Sequence, residues 1–102
     1  GPATRFQWGT NYVVGMIDMT PADVERIEEV AVELLRELGR QPDAFYGRNK
    51  KRLDRLDAGF KTWEDGRGDV VRRIRATLSD LCPSMDDDDA AATCDSFVAG
   101  TV

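Results

Sequence analysis

Apolar residues recur along most of this chain at spacings of three and four, the mark of helices with one buried face. The clearest run is Val24, Ile27, Ala31, Leu34, Leu35 and Leu38. Thr20-Pro21-Ala22-Asp23 stands before it as a capping box, with proline at the first helical position and Asp in place of the usual Glu. Met19 and Val24 flank the box as a hydrophobic staple. Gly39 and Pro42 stop the run. The pattern predicts a helix over 21–38, whose solvated face carries Glu25, Glu29, Glu33 and Arg36.

A second stripe, Tyr46, Leu53, Leu56, Phe60 and Trp63, predicts a helix over 43–64, opened by Pro42-Asp43. Gly47 and Gly59 weaken it, each by about 1 kcal/mol against alanine, and a break near Gly47 is expected. Gly66-Arg67-Gly68 is a turn and Asp69 a helix cap. Val70, Val71, Ile74, Leu78 and Leu81 then predict a helix to Cys82, ended by Pro83. Ala91, Cys94, Phe97 and Val98 predict a last helix over 90–99, stopped by Gly100. Tyr12 to Ile17 fits a short helix capped by Asn11. A strand there would find no partner in a chain that otherwise reads helical. Residues 3–10 are expected to be extended, and Gly1-Pro2 reads as a remnant of tag removal.

Short connections favour antiparallel neighbours, so these elements sum to one all-α domain, a small up-and-down bundle of about four helices. The expected core is Ile17, Val24, Ile27, Leu34, Leu38, Leu53, Leu56, Phe60, Trp63, Ile74, Leu78, Leu81 and Phe97. A chain of 102 residues suffices for one such core.

Two cysteines, Cys82 and Cys94, are too few for a structural zinc site and too far apart for a C-x-x-C motif. A structural disulfide between them is expected, worth about 2–3 kcal/mol for a loop of this size. It implies an oxidising compartment: secreted, periplasmic or an organelle lumen. It also constrains geometry. Bonded cysteine Cα atoms lie within about 7 Å, whereas a helix running straight from Pro83 would carry Cys94 some 12 Å or more along its axis. Residues 83–89 are therefore expected to be an irregular acidic loop, with the last helix starting near Asp89.

Charge sharpens the picture. The net charge is −5, but residues 48–75 hold ten of the fourteen basic side chains, while 76–102 hold six acidic and no basic ones. Lys51 and Arg55 share a helix face, as do Arg48 and Arg52. Arg72 and Arg75 are expected to join them from the next helix. Such a patch suits an acidic protein surface; an anionic membrane surface is a weaker alternative. The plainer interpretation is a solvated face balanced by the chain's own acids. Nucleic acid does not suit an acidic protein without a binding motif. Phe6 and Trp8 lie outside the strong helices, either as a lid over one bundle end or as exposed anchors on a partner.

The chain has no histidine, which removes Ser-His-Asp and Cys-His catalysis and histidine-ligated metals. Asp86 to Asp89 lack the spacing, glycine and distal glutamate of a calcium loop and fit the start of a helix instead. Arg67-Gly68-Asp69 spells an adhesion tripeptide, but three residues recur by chance and Asp69 has a role as a cap. No phosphate loop, nucleophile elbow or cofactor fingerprint is present. No catalytic residue, metal or cofactor is therefore expected.

The expectation is a non-catalytic interaction module, or accessory subunit, that docks on a larger assembly by its basic face. The partner-binding residues are Arg48, Lys51, Arg52, Arg55, Arg72, Arg75 and Trp8. The alternative is a carrier bundle that encloses a small apolar ligand.

Overall fold

The computed structural model describes residues 2–41 and 44–101. Gly1 and the helix signals expected of Pro42 and Asp43 lie outside them. The fold is all-helical, with five α-helices and no strand among the described residues: α1 (Pro2–Met19), α2 (Val24–Gly39), α3 (Gly47–Trp63), α4 (Gly68–Ala76) and α5 (Asp88–Ala99). A short 3₁₀ turn, Cys82–Ser84, lies between α4 and α5.

The first helix corrects two expectations. Residues 3–10 are not extended, and Asn11 is not a cap but a mid-helix residue. The inward stripe is Phe6, Thr10, Val13 and Ile17, all buried. Thr10 hides this stripe in the sequence because its hydroxyl reads as polar. Gly9 belongs to the packing: a Cβ there would collide with Leu34 Cδ1, so its absence lets α1 approach α2 closely.

Thr20 works in the opposite sense from the expected cap. Its hydroxyl donates to Met16 O at 3.1 Å and its amide to the same oxygen at 2.7 Å, so it closes α1. The next helix then begins at Val24 rather than Pro21, after a turn closed by Asp23 N–H to Thr20 O. Met19 is 83% exposed, so no staple forms.

The third and fifth helices lie close to their expected spans. For α3 the break near Gly47 is its start, where φ is +51°. For α5 the start is Asp88, one residue from the expected Asp89, and Asp87 caps it by accepting from Ala90 N–H at 2.9 Å. Two acids follow in the first turn, as the helix dipole favours. Gly100, at φ +74°, ends α5 in the left-handed conformation that glycine adopts without strain.

Helix α4 is shorter than the 70–82 run suggested. Beyond Ala76 the amides of Thr77, Leu78, Ser79 and Leu81 bond three residues back, tightening the chain into turns that still bury Leu78. Its N-cap position is Arg67, and Asp69 sits in the first turn. The irregular stretch expected over 83–89 narrows to 85–87 between the 3₁₀ turn and α5. Cys82 and Cys94 form a disulfide with Cα atoms 5.4 Å apart.

Pairs of neighbours fix the directions. Gln7 meets Arg52, Asn11 meets Arg55 and Val14 meets the site of Gly59, so α1 and α3 run parallel. Arg5 meets Glu37 and Gly9 meets Leu34, so α2 runs against α1. Glu28 meets Arg73 and Gly39 meets Leu78, so α4 runs parallel to α2 and hence against α3, while Phe97 meets Arg75 and Cys94 meets Leu78, which sets α5 against α4. Direction thus alternates along the chain. Spatial order does not follow it, because α1 packs chiefly against α3 and α2, whereas α2 packs on α4 and α4 on α5.

The core holds every expected residue except Val24 and Leu81, which are partly buried at its edge. Phe6, Val13, Ala44, Phe45 and Val71 also join it. Each large side chain withdrawn from water in this way contributes about 1.5–3 kcal/mol. Trp63 keeps its polar edge satisfied by donating Nε1–H to Pro21 O at 2.9 Å.

Candidate functional site

The arginine-rich middle of the chain divides into an outer and an inner set. On α3, Arg48, Lys51, Arg52 and Arg55 recur at spacings of three and four, which places them on one arc of the helix. That arc borders α1. Arg52 donates to Gln7 Oε1 at 3.2 Å, and Arg55 donates to Asn11 Oδ1. Arg48, Lys51 and Arg55 are exposed and Arg52 is half-buried. The structure therefore brings these four together as a ridge.

Arg75 does not join them, and its place among the partner-binding residues is corrected. Its side chain is only 5% exposed. Nη1 donates to Asp57 Oδ1 at 2.6 Å and to Phe97 O at 2.9 Å. The guanidinium lies 5.7 Å from the centre of the Phe60 ring and 5.2 Å from that of Phe97, within cation–π range of both. Asp57 also receives Lys61 Nζ at 3.2 Å. Arg75 thus ties α3, α4 and α5 together at one buried point and has no surface role.

Arg72 remains exposed but lies on α4 and pairs with Asp69 at 3.0 Å. Its neighbour Arg73 reaches α2 through two bonds to Glu28, at 2.9 and 3.1 Å. This bidentate contact holds the Glu28 carboxyl below its ordinary range and raises the guanidinium further. The Arg72–Asp69 pair stays within α4, whereas Arg73–Glu28 is a surface staple between α4 and α2.

Phe6 and Trp8 separate as well. Phe6 is buried, whereas Trp8 is 70% exposed on the outer face of α1. Tyr12, at 53%, and Met19, also strongly exposed, continue that face. An open groove of about 600 Å³ runs along it, lined by Asn11, Tyr12, Gly15, Met16, Met19, Thr20, Asp23 and Arg26. Assigning Met19 to a staple, and Tyr12 only to a short helix over 12–17, missed this surface. Its signal is present there: Trp8, Tyr12, Gly15 and Met19 repeat at four, three and four, out of phase with Phe6, Thr10, Val13 and Ile17.

The N-terminus of α5 carries a second polar node. Asp87 accepts the Ala90 amide at 2.9 Å, and that bond together with the nearby Tyr46 hydroxyl holds its carboxyl below the ordinary value of 3.8. Asp87 in turn raises the Tyr46 phenol above 10.0. This pair, joined by the Asp89 carboxylate, links the start of α3 to the start of α5.

Chemically, the surface offers cations, aromatic rings and amides, which suit recognition. The most buried carboxylate, Asp57, is committed to Arg75 and Lys61. Among the described residues no cluster of three carboxylates or thiols converges on one point, and no helix is long and apolar enough to cross a membrane. No protein-family model, curated protein or solved structure matches the chain.

Proposed function

We propose that this protein is a non-catalytic interaction module, an accessory subunit that docks on an acidic protein surface through the α3 ridge and the adjoining outer face of α1. The observation that supports this reading is the juxtaposition of Arg48, Lys51, Arg52 and Arg55 with exposed Trp8. Aromatic and arginine side chains dominate the energetics of protein recognition, because both bury large area and arginine binds carboxylates bidentately. The ridge is pre-arranged by Gln7 and Asn11, which hold Arg52 and Arg55, so less side-chain freedom is lost on docking. The disulfide is consistent with work in an oxidising compartment, and the docking partner belongs there too.

The test uses three baits against an extract of the native compartment: the wild-type chain, R52E/R55E, and R36E/R40E. The last makes the same charge change on exposed α2 and loop positions. A partner retained by the wild type and by R36E/R40E, lost with R52E/R55E and released by salt, supports docking through the ridge. Retention by R52E/R55E at wild-type level rejects it.

A further inference from the structure

We propose that the outer face of α1 pairs with the same face of a second copy, so that the free chain is a weak two-fold dimer. The inference shares Trp8, Arg52 and Arg55 with the docking reading, and the docked partner and the second copy compete for them.

The face is self-complementary. An isologous contact needs a patch that matches itself reversed. The four, three, four spacing of Trp8, Tyr12, Gly15 and Met19 is symmetric about the point midway between Val13 and Val14. Two α1 helices crossing antiparallel at that point place Trp8 opposite Met19 of the second copy. They also place Tyr12 opposite Gly15, large against small, and a Cβ at Gly15 would meet nothing within 4 Å of its own chain. Methionine is flexible and its sulfur contacts aromatic rings favourably, which suits it to the Trp8 position.

Charge agrees with this register. Asp18 is exposed, lies on the Asn11 edge of α1, and makes no ion pair among the described residues. The two-fold axis keeps the α3 helices of both copies on the same side. It brings Asp18 of one copy level with Gly9 of the other, between Gln7 and Asn11. Those two residues hold Arg52 and Arg55. Each Asp18 therefore falls between two guanidinium groups of the other copy and offsets the repulsion between the two ridges.

Area sets the strength. Aromatic side chains bury about 150–250 Å² each. With Trp8 and Tyr12 more than half exposed and Met19 nearly fully so, the patch supplies on the order of 400–500 Å² per copy. That is below the ≈ 800 Å² per partner of a standard interface, so the dimer is weak, with a dissociation constant above the micromolar range.

Sedimentation equilibrium of the full chain, without any partner, from micromolar to millimolar concentration tests the pairing. The weight-average mass is expected to rise from 11.4 kDa toward twice that value and to stop there. G15E fills the Tyr12 seat and is expected to weaken dimerisation at least about tenfold. D18R is expected to weaken it too, and D18R/R55D to restore it, because every copy then carries the exchanged charges. Circular dichroism of each variant confirms an intact fold. A mass of 11.4 kDa throughout, growth beyond two copies, a G15E dimer of wild-type strength, or failure of the charge exchange to restore association overturns the proposal. A monomer leaves the docking reading intact, whereas bait capture that ignores R52E/R55E rejects docking and leaves the dimer.

Discussion

Removing Asp57 should cost more stability than removing Arg75, although the two form one ion pair. In D57A the guanidinium stays between Phe60 and Phe97 with its charge uncompensated, and Nη2 already has no hydrogen-bond partner among the described residues. Stranding a buried charge costs about 3–5 kcal/mol, a large share of the roughly 5–15 kcal/mol that holds a domain together. In R75M the other partners are not stranded. Asp57 keeps Lys61 at 3.2 Å, and Phe97 O keeps the Gly100 amide at 3.1 Å. The methionine chain fills much of the space between the rings and its sulfur suits them. The unpartnered Nη2 disappears with the guanidinium. The loss is then that of one charged hydrogen-bond set, about 1.5–3 kcal/mol. Urea unfolding followed by far-ultraviolet circular dichroism measures both, provided the slope stays constant across the variants. The double variant D57A/R75M should be more stable than D57A alone, because it removes the orphaned charge. An R75M cost equal to that of D57A, or a double variant whose cost is the sum of the two, would refute this account of the buried pair.

The disulfide should contribute about 2–3 kcal/mol through the unfolded state; C82A/C94A is expected to melt roughly 10–20 °C lower, and an unchanged melting temperature counts against it. G15A should stabilise the monomer by about 0.5–1 kcal/mol, since Gly15 is in a helix interior and its Cβ meets nothing; urea midpoints at low concentration read this. The α5 N-terminus responds at both pH extremes, through the Ala90 amide and Tyr46 on Asp87 in acid and through Asp87 on Tyr46 in base. The lowered Asp87 pKa adds stability that is present above its unfolded value near 3.8 and lost as pH falls through the folded value. The raised Tyr46 pKa adds stability that is full below 10.0 and lost as pH rises through the folded value. Ultraviolet titration of D87N should bring the Tyr46 ionisation back toward 10.0, and an unmoved curve would disprove the Tyr46–Asp87 coupling.

Where periodicity and chemistry agreed, the fold was legible. The stripe from Ile27 to Leu38 placed α2, and the geometric limit on Cys82 and Cys94 placed the start of α5 to within one residue. Misreadings came where a side chain served a purpose its type does not advertise. Thr20 resembles the cap of the helix that follows, yet its hydroxyl closes the helix that precedes. Thr10 sits on a buried stripe, so α1 looked too polar to begin before Asn11. Arg75 was assigned to the surface by its charge, although Val71, Arg75, Leu78 and Cys82 recur at four, three and four, and all are buried. Asp57 occupies the equivalent inward position among Leu53, Leu56 and Phe60 on α3. Two opposite charges on the inward stripes of two consecutive helices are a readable sign of a buried pair.

The converse pattern is an apolar stripe on the outward side, and α1 carries one in Trp8, Tyr12 and Met19. Spacing alone cannot assign it to core or surface, because an inner helix of a bundle carries apolar residues all round. The decision belongs to the spatial order of the helices. Parallel α3 and antiparallel α2 flank α1 and cover its two sides, leaving the third face uncovered. Had α5 folded over α1 instead of α4, Trp8 would be core. The disulfide prevents this by tying α5 to the end of the α4 segment, and Arg75 prevents it again by bonding Phe97. The two features that close the α4–α5 side of the molecule thus leave the outer α1 face uncovered.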